Sequence, residues 1–244
     1  MRIHAKGVHY QNLNQRVHEA VARGEREICL DDVNGQRYIG GGLRGEIHIT
    51  VNGVPGNNLA SFMDGPTIVV NENAQDGVGN TMNAGKVIVR GDAGDIIGYA
   101  MRGGKVFIQG NGGYRVGIHM KSFKDRLPVI IIGGSAEDFL GEYMAGGLLV
   151  VLGLYQGNRT PIVGNYVGTG MHGGMIYVRG DVRDYQLGRE VGIRRSTVHD
   201  MVRLREYLKE YCDDLGLKVE EVLEKRFTKL IPYSSRPYGN LYAY

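Results

Sequence analysis

The chain has 244 residues with a formal net charge of only +3, from 29 basic and 26 acidic side chains, which is too balanced for an electrostatic nucleic-acid binder. No apolar run is long enough for a membrane span and the N-terminus has no signal h-region, while Cys29 and Cys212 form no CxxC pair; a cytoplasmic protein without a disulfide scaffold or thiolate metal site is expected. The composition is unusual in combining 39 glycines with only 6 prolines, which points to repeated tight corners and not to a disordered linker.

Residues 1–11 are polar and carry no clear pattern. Residues 12–24 predict a short helix, with Asn14 as its cap, Val17, Ala20 and Val21 as its apolar stripe and Gly24 as its stop. Glu27 to Leu30 reads as a strand, followed by a turn over Asp31 to Gly35.

A repeat begins at Ile39-Gly40-Gly41-Gly42-Leu43. Its ruler is the run Met63, Met82, Met101, Met120, each 19 residues after the last. Three residues before each Met stands a small residue: Ala60, Gly79, Gly98 and Gly117. The residue before that is apolar in every case: Leu59, Val78, Ile97 and Val116. Between successive corners lie short apolar strands, Thr67–Val70, Val87–Val89 and Val106–Ile108. Wider steps carry the signature on to Met144, Met171 and Val191. The extra residues are Lys121 to Arg126, before the strand Val129–Ile132, and Leu154 to Pro161, after the strand Leu148–Leu152. Insertions at corners that leave strands intact are what a solenoid tolerates. The spacing predicts a mainly β fold, a single-stranded parallel β-helix of about seven turns, roughly 34 Å tall at the usual strand separation. A β-propeller would need a period of roughly 40 residues, twice this one.

Beyond Val191 the periodicity turns helical. Thr197-Val198-His199-Asp200 reads as a capping box, an apolar stripe runs from Val198 to Leu215, and Gly216 ends the helix. A second helix is expected near 218–226. The tail Thr228–Tyr244, with Pro232, Pro237 and four tyrosines, reads as an extended segment lying on a partner or closing the coil's own end. Its prolines are expected to keep it out of an interior strand. Three regions result: an N-terminal flank, 1–38; the coil, 39–192; and a helical segment with the tail, 193–244.

Chemical signals are weak. Gly168-Thr169-Gly170-Met171-His172-Gly173 matches the dinucleotide pattern, but it falls on a repeat corner and precedes a strand, where the pattern needs a helix. Arg90-Gly91-Asp92, Gln109-Gly110-Asn111 and Arg179-Gly180-Asp181 share one repeat position and read as turns. Gly133-Gly134-Ser135-Ala136-Glu137 lacks the last Gly of a nucleophile elbow. The seven histidines form no HxH or HExxH pair. His119, beside its Met, is the one candidate for a site between turns, and a solvated corner explains it more simply. No catalytic, cofactor-binding or metal-ligating residue is therefore assigned.

The coil resembles the GXGXG domain at the C-terminal end of the glutamate synthase large subunit. The flanks share in this: Glu19 to Leu30 is similar to the family's helix-Gly-Glu-strand lead-in, Arg37 to Gly40 and Leu43 to Ile47 to its approach to the coil, and His199 to Pro232 to its helical segment. The resemblance implies a right-handed coil that carries no catalysis. It implies a scaffold subunit of a split glutamate synthase, joining an amidotransferase (glutaminase) chain to a synthase chain that holds FMN and an iron–sulfur cluster. Such an oxidoreductase makes glutamate from glutamine and 2-oxoglutarate, in nitrogen metabolism. No flavin, iron–sulfur cluster or metal is expected on this chain itself, and no nucleic acid or membrane partner; a homo-oligomer stays open. Formylmethanofuran dehydrogenase has a subunit with the same coil, and that subunit is the second reading. An independent hydrolase or lyase, with a site at the corners, is the third.

Overall fold

The computed structural model describes residues 1–156 and 161–235. Its eleven strands form one sheet that winds along the coil in the order β1-β2-β3-β4-β5-β6-β7-β8-β9-β11-β10. The strands are β1 (Arg2–His4), β2 (Glu27–Asn34), β3 (His48–Val54), β4 (Asp64–Val70), β5 (Ala84–Val89) and β6 (Lys105–Ile108). They continue as β7 (Val129–Ile132), β8 (Ala145–Val151), β9 (Gly173–Arg179), β10 (Val191–Arg194) and β11 (Phe227–Pro232). Every pairing from β1 to β9 is parallel.

The register stacks like on like. Ile49, Ile68, Val87, Val106, Ile130, Leu149 and Ile176 form one column, and Val51, Val70, Val89, Ile108, Ile132, Val151 and Val178 another. These residues alternate along each strand, so both columns point into the coil. The side chains of Met63, Met82, Met101, Met120 and Met144 are fully buried there, with Leu43, Met171 and Val191 completing the line.

The N-terminal flank extends this ladder, because β1 and β2 pair in parallel onto β3. Helix α1 (Tyr10–Ala22) adds Leu13, Val17 and Ala20 to the same core. It starts earlier than the sequence indicates, with His9 at the cap. Asn14 lies inside the helix, and its Nδ2 donates to Arg37 O at 2.8 Å, tying the helix to the first corner.

The coil has about six turns, slightly fewer than the expected count of about seven. Seven strands, β3 to β9, repeat in parallel register and span six steps. The seventh corner is built, since Val167 and Leu187 form a parallel bridge and Gly188 N donates to Val167 O at 2.8 Å. The strand after it, β10, does not reach β9. Instead β11 lies between them, antiparallel to both.

This placement corrects the expectation that Pro232 would exclude the tail from an interior strand. Tyr233 N donates to Glu190 O at 2.8 Å, so Glu190/Tyr233 and every second pair after it are the hydrogen-bonded ones. Pro232 faces Val191 in a non-bonded pair, and the β9 ladder ends at Leu230. The missing N–H of Pro232 thus falls where no partner waits. The expectations for Arg236, Pro237, Tyr238, Tyr242 and Tyr244, and for part of the 154–161 insertion, lie outside the described residues.

A second core covers the outside of the coil. Helix α2 (Val198–Leu215) and α3 (Val219–Leu223) pack Leu204, Leu208, Tyr211, Cys212, Val219 and Val222 onto the outward strand residues Ile88, Phe107, Val129, Ile131, Leu148, Val150 and Tyr177. Strands β6 to β8 are therefore buried on both faces, which is why Val129 to Ile132 is apolar without alternation. The capping box is present: Asp200 N donates to Thr197 Oγ1 at 3.1 Å and Thr197 N to Asp200 Oδ2 at 2.7 Å. Gly216 closes α2 at φ 69°.

Candidate functional site

The corners before each core Met define the molecule's main surface. Three alternate residues, five, three and one positions ahead of the Met, all have positive φ. Ahead of Met82 they are Gly77, Gly79 and Thr81; ahead of Met101, Ile96, Gly98 and Ala100; ahead of Met120, Arg115, Gly117 and His119. Phe139, Gly141 and Tyr143 precede Met144, and Tyr166, Gly168 and Gly170 precede Met171.

Hydrogen bonding explains the alternation. Ile96 N and Ala100 N donate forward, to Tyr114 O and Ile118 O, whereas Gly98 N between them donates backward, to Val78 O. The Met82 corner does the same: Gly77 N and Thr81 N go forward to Asp95 O and Tyr99 O, and Gly79 N goes back to Leu59 O. So does the Met120 corner, where Arg115 N and His119 N go forward to Asp138 O and Glu142 O, and Gly117 N goes back to Ile97 O. Alternating left-handed residues thus turn the N–H groups at these three positions forward, back and forward, so that each corner is bonded to the turns on both sides. Only the middle position must be small. Gly98 is buried, and a Cβ there would lie 2.2 Å from Ile130 Cδ1. At the Met120 and Met144 corners the outer two positions hold large side chains at least partly open to solvent, at the cost of left-handed strain, whereas Gly77 and Thr81 ahead of Met82 are buried.

Those outer positions build stacked side chains along the coil. His119 stacks on Tyr143 with ring centroids 5.3 Å apart and meets Tyr99 edge-on at 6.0 Å. Arg115 lies over Phe139, which stacks on Tyr166 at 4.9 Å. Arg115 Nη1 also donates to Glu142 Oε2 at 2.9 Å. Composition alone could not reveal this, because Ile96, Arg115, Phe139 and Tyr166 hide a position that glycine would have marked. The 19-residue phase relative to Met was the only available signal.

A second set of ladders explains the Arg-Gly-Asp look-alike. Asp92 N donates to Asn73 Oδ1 at 2.9 Å, Asn111 N to Asp92 Oδ1 at 2.6 Å, and Ser135 N to Asn111 Oδ1 at 2.9 Å. Beside it, Asp95 N donates to Asp76 Oδ1 and Tyr114 N to Asp95 Oδ1. Each carboxylate or amide thus caps the next turn's backbone. Glycine precedes the receiving residue because an added Cβ at Gly91, Gly94, Gly110 or Gly113 would sit 2.1 Å from that same oxygen.

The remaining candidates settle into structure. Gly168 and Gly170 form a left-handed corner followed by β9, with no helix to bind a pyrophosphate. Ser135 Oγ donates to Asn111 Oδ1 and meets no histidine. His119 is exposed, and among the described residues no carboxylate bonds to it. Asp200 is the most perturbed carboxylate: the Lys229 ammonium, donating at 2.6 Å, and the Thr197 backbone hold it well below the usual range. Burial and the Asp200 carboxylate push the Tyr177 phenol upward, and its OH donates to Asp200 Oδ1 at 3.2 Å. This network fastens α2 to β9 and β11, beside a cavity of about 50 Å³ that is too small for a cofactor. Lys86 anchors the other end of α2 through Asp214 at 2.6 Å. Tyr211 OH donates to Ile108 O at 3.1 Å, and burial pushes the Cys212 thiol up to about 11.

The cysteines are too few for an iron–sulfur cluster held by this chain alone. A cluster takes four cysteine ligands, and there are two, Cys29 on β2 and Cys212 on α2. Among the described residues no group of three or more His, Cys, Asp or Glu could hold a metal, and no helix is long and apolar enough to cross a membrane.

A parallel β-solenoid with left-handed corners at alternate residues and a helical flank packed on its outer face is what these features define. The profile described as GXGXG motif matches residues 14–233. The chain belongs to that family, that of the C-terminal domain of the glutamate synthase large subunit. It is also similar to uncharacterized protein MJ1350 of Methanocaldococcus jannaschii, at 48% identity over 248 residues covering 98% of this chain and 95% of that one.

Proposed function

We propose that this protein is a non-catalytic scaffold subunit of a glutamate synthase assembled from separate chains. In that enzyme it holds a glutaminase chain and an FMN- and iron–sulfur-bearing synthase chain in place, in the cytoplasm, while glutamate forms from glutamine and 2-oxoglutarate. The observation that carries the reading is the extent of the family match, which spans the coil and also the helical flank that ends in β11. That flank is the feature not expected in the coil-bearing chain of formylmethanofuran dehydrogenase, so the glutamate synthase reading is preferred. The site geometry supports a scaffold and not an independent hydrolase or lyase. The Asp200, Lys86 and Tyr211 contacts dock α2, the Asn73, Asp76, Asp92, Asp95 and Asn111 side chains cap turns, and among the described residues no serine or cysteine is bonded to a histidine.

The test is co-expression with the candidate amidotransferase and FMN-binding chains from the same genome. A complex that co-purifies through this scaffold, with flavin and iron contributed by the other chains, is expected. Isolated protein that hydrolyses or lyses a substrate by itself, with no binding to either chain, would overturn the reading.

A further inference from the structure

The last strand of the sheet has an open edge. β10 pairs with β11 on one side, and among the described residues nothing pairs with it on the other. The register fixes which groups face outward. Glu190/Tyr233, Gly192/Ile231 and Arg194/Lys229 are the hydrogen-bonded pairs with β11, so the N–H and C=O of Ile193 point away from it. Such an edge is a template for another strand.

The surroundings have a definite chemistry. Ile193 is 42% exposed on this edge, and Val198 and Val202, one helical turn apart at the start of α2, are 83% and 55% exposed. Arg189, Arg194 and Arg195 are exposed and belong to no ion pair among the described residues. The nearby acids are engaged: Glu190 accepts from Gly170 N, Asp181 pairs with Arg226, and Asp200 with Lys229. The segment is therefore cationic and apolar, and its outward backbone makes one long bond, from Arg194 Nη1 to Ile193 O at 3.5 Å, which an incoming strand would replace, while the Arg194 guanidinium lies over the Tyr233 ring. A second copy docked edge to edge would bring two such arginine clusters within a Debye length of about 10 Å, which disfavours self-pairing.

We propose that the β10 edge is a docking site for an extended acidic segment of a partner protein, added to the sheet as its next strand. Main-chain bonds to Ile193 supply the affinity, and acidic side chains opposite Arg194 and Arg195 supply the choice of partner. The proposal does not depend on which enzyme the scaffold serves.

The experiment uses the full chain and two labelled peptides of alternating valine, one with glutamate and one with lysine. Binding is read by fluorescence anisotropy, with exchange of the Ile193 amide followed by NMR. The glutamate peptide is expected to bind, to slow that exchange, and to weaken as salt rises, while the lysine peptide does not bind. Ile193→Pro removes the outward N–H without touching a β11 pair and is expected to cost about tenfold or more in affinity. The double variant Arg194→Glu, Arg195→Glu is expected to lose the glutamate peptide with the melting curve unchanged. Absence of binding at millimolar peptide overturns the proposal and leaves the arginines as guards against aggregation. Equal binding of both peptides, or binding indifferent to Ile193→Pro, does so too. An amide already protected in the free chain would overturn it as well, assigning the edge to residues 236–244 if the protection is independent of concentration, and to a second copy if it grows with concentration.

Discussion

Gly98→Ala is the substitution whose cost the coordinates define best. At φ 68° any L side chain is strained, by roughly 1–2 kcal/mol. The new methyl would also lie 2.2 Å from Ile130 Cδ1, the end of a fully buried side chain that must shift to admit it. Overpacking of that kind costs about 1–3 kcal/mol, so a total of about 2–5 kcal/mol is expected. The two parts are separable. Ile130→Val removes the clashing atom and costs about 0.5–1.5 kcal/mol alone. In the Gly98→Ala background it should cost nothing or stabilise, giving a coupling of about 1 kcal/mol or more. The chain itself supplies a precedent, since Ala60 occupies the same column at φ 60° and the ladder's register puts the shorter Val87 where Ile130 would be. Denaturant titration of the four proteins of this cycle decides the matter. Additive costs, or a Gly98→Ala variant as stable as the parent, would refute the claim that the middle corner position is a contact between turns.

Met101→Ala should cost about 2–5 kcal/mol, because the side chain is fully buried in the core column; an unchanged melting temperature would show that the methionine line is not a core. Asp200→Asn should cost about 1–3 kcal/mol through the loss of half the capping box and the Lys229 pair. Since the folded carboxyl is held below its ordinary value, its stabilisation is complete above about pH 4 and fades as pH falls toward the lowered value; melting curves should show that the variant loses this acid limb. Purified alone, the chain should carry neither a flavin spectrum nor iron, and a stoichiometric amount of either would contradict the assignment of both to partner chains.

The repeat was legible because its determinants are local. A methionine, a small residue three places earlier and an apolar residue before that recur at fixed distance, and each is needed for packing one turn on the next. Even the insertion at Lys121 to Arg126 could be placed, and Arg126 folds back to reach Asp64 at 3.2 Å. Other features depend on partners distant in sequence. Nothing near Val129 says that its outward face meets Leu204 and Leu208, and Pro232 looked barred from a sheet until the register showed its N–H was not required. The seventh turn stays incomplete for a related reason. Its corner signature at Leu187 to Val191 is intact, but β11 competes for the edge of β9 and wins it. At the site, the left-handed alternation was not readable, because Arg115, His119, Phe139 and Tyr143 stand where glycine would have announced it.

The scaffold role is tested most directly by reconstitution. The amidotransferase and FMN-binding chains are purified separately, and glutamate formation from glutamine and 2-oxoglutarate is followed with a reductant, with and without this protein. Glutamine-dependent synthesis that appears only when the scaffold is added, in step with a complex on size exclusion, is the predicted result. Full coupled activity from the two partner chains alone, with this protein eluting apart from them, would contradict it.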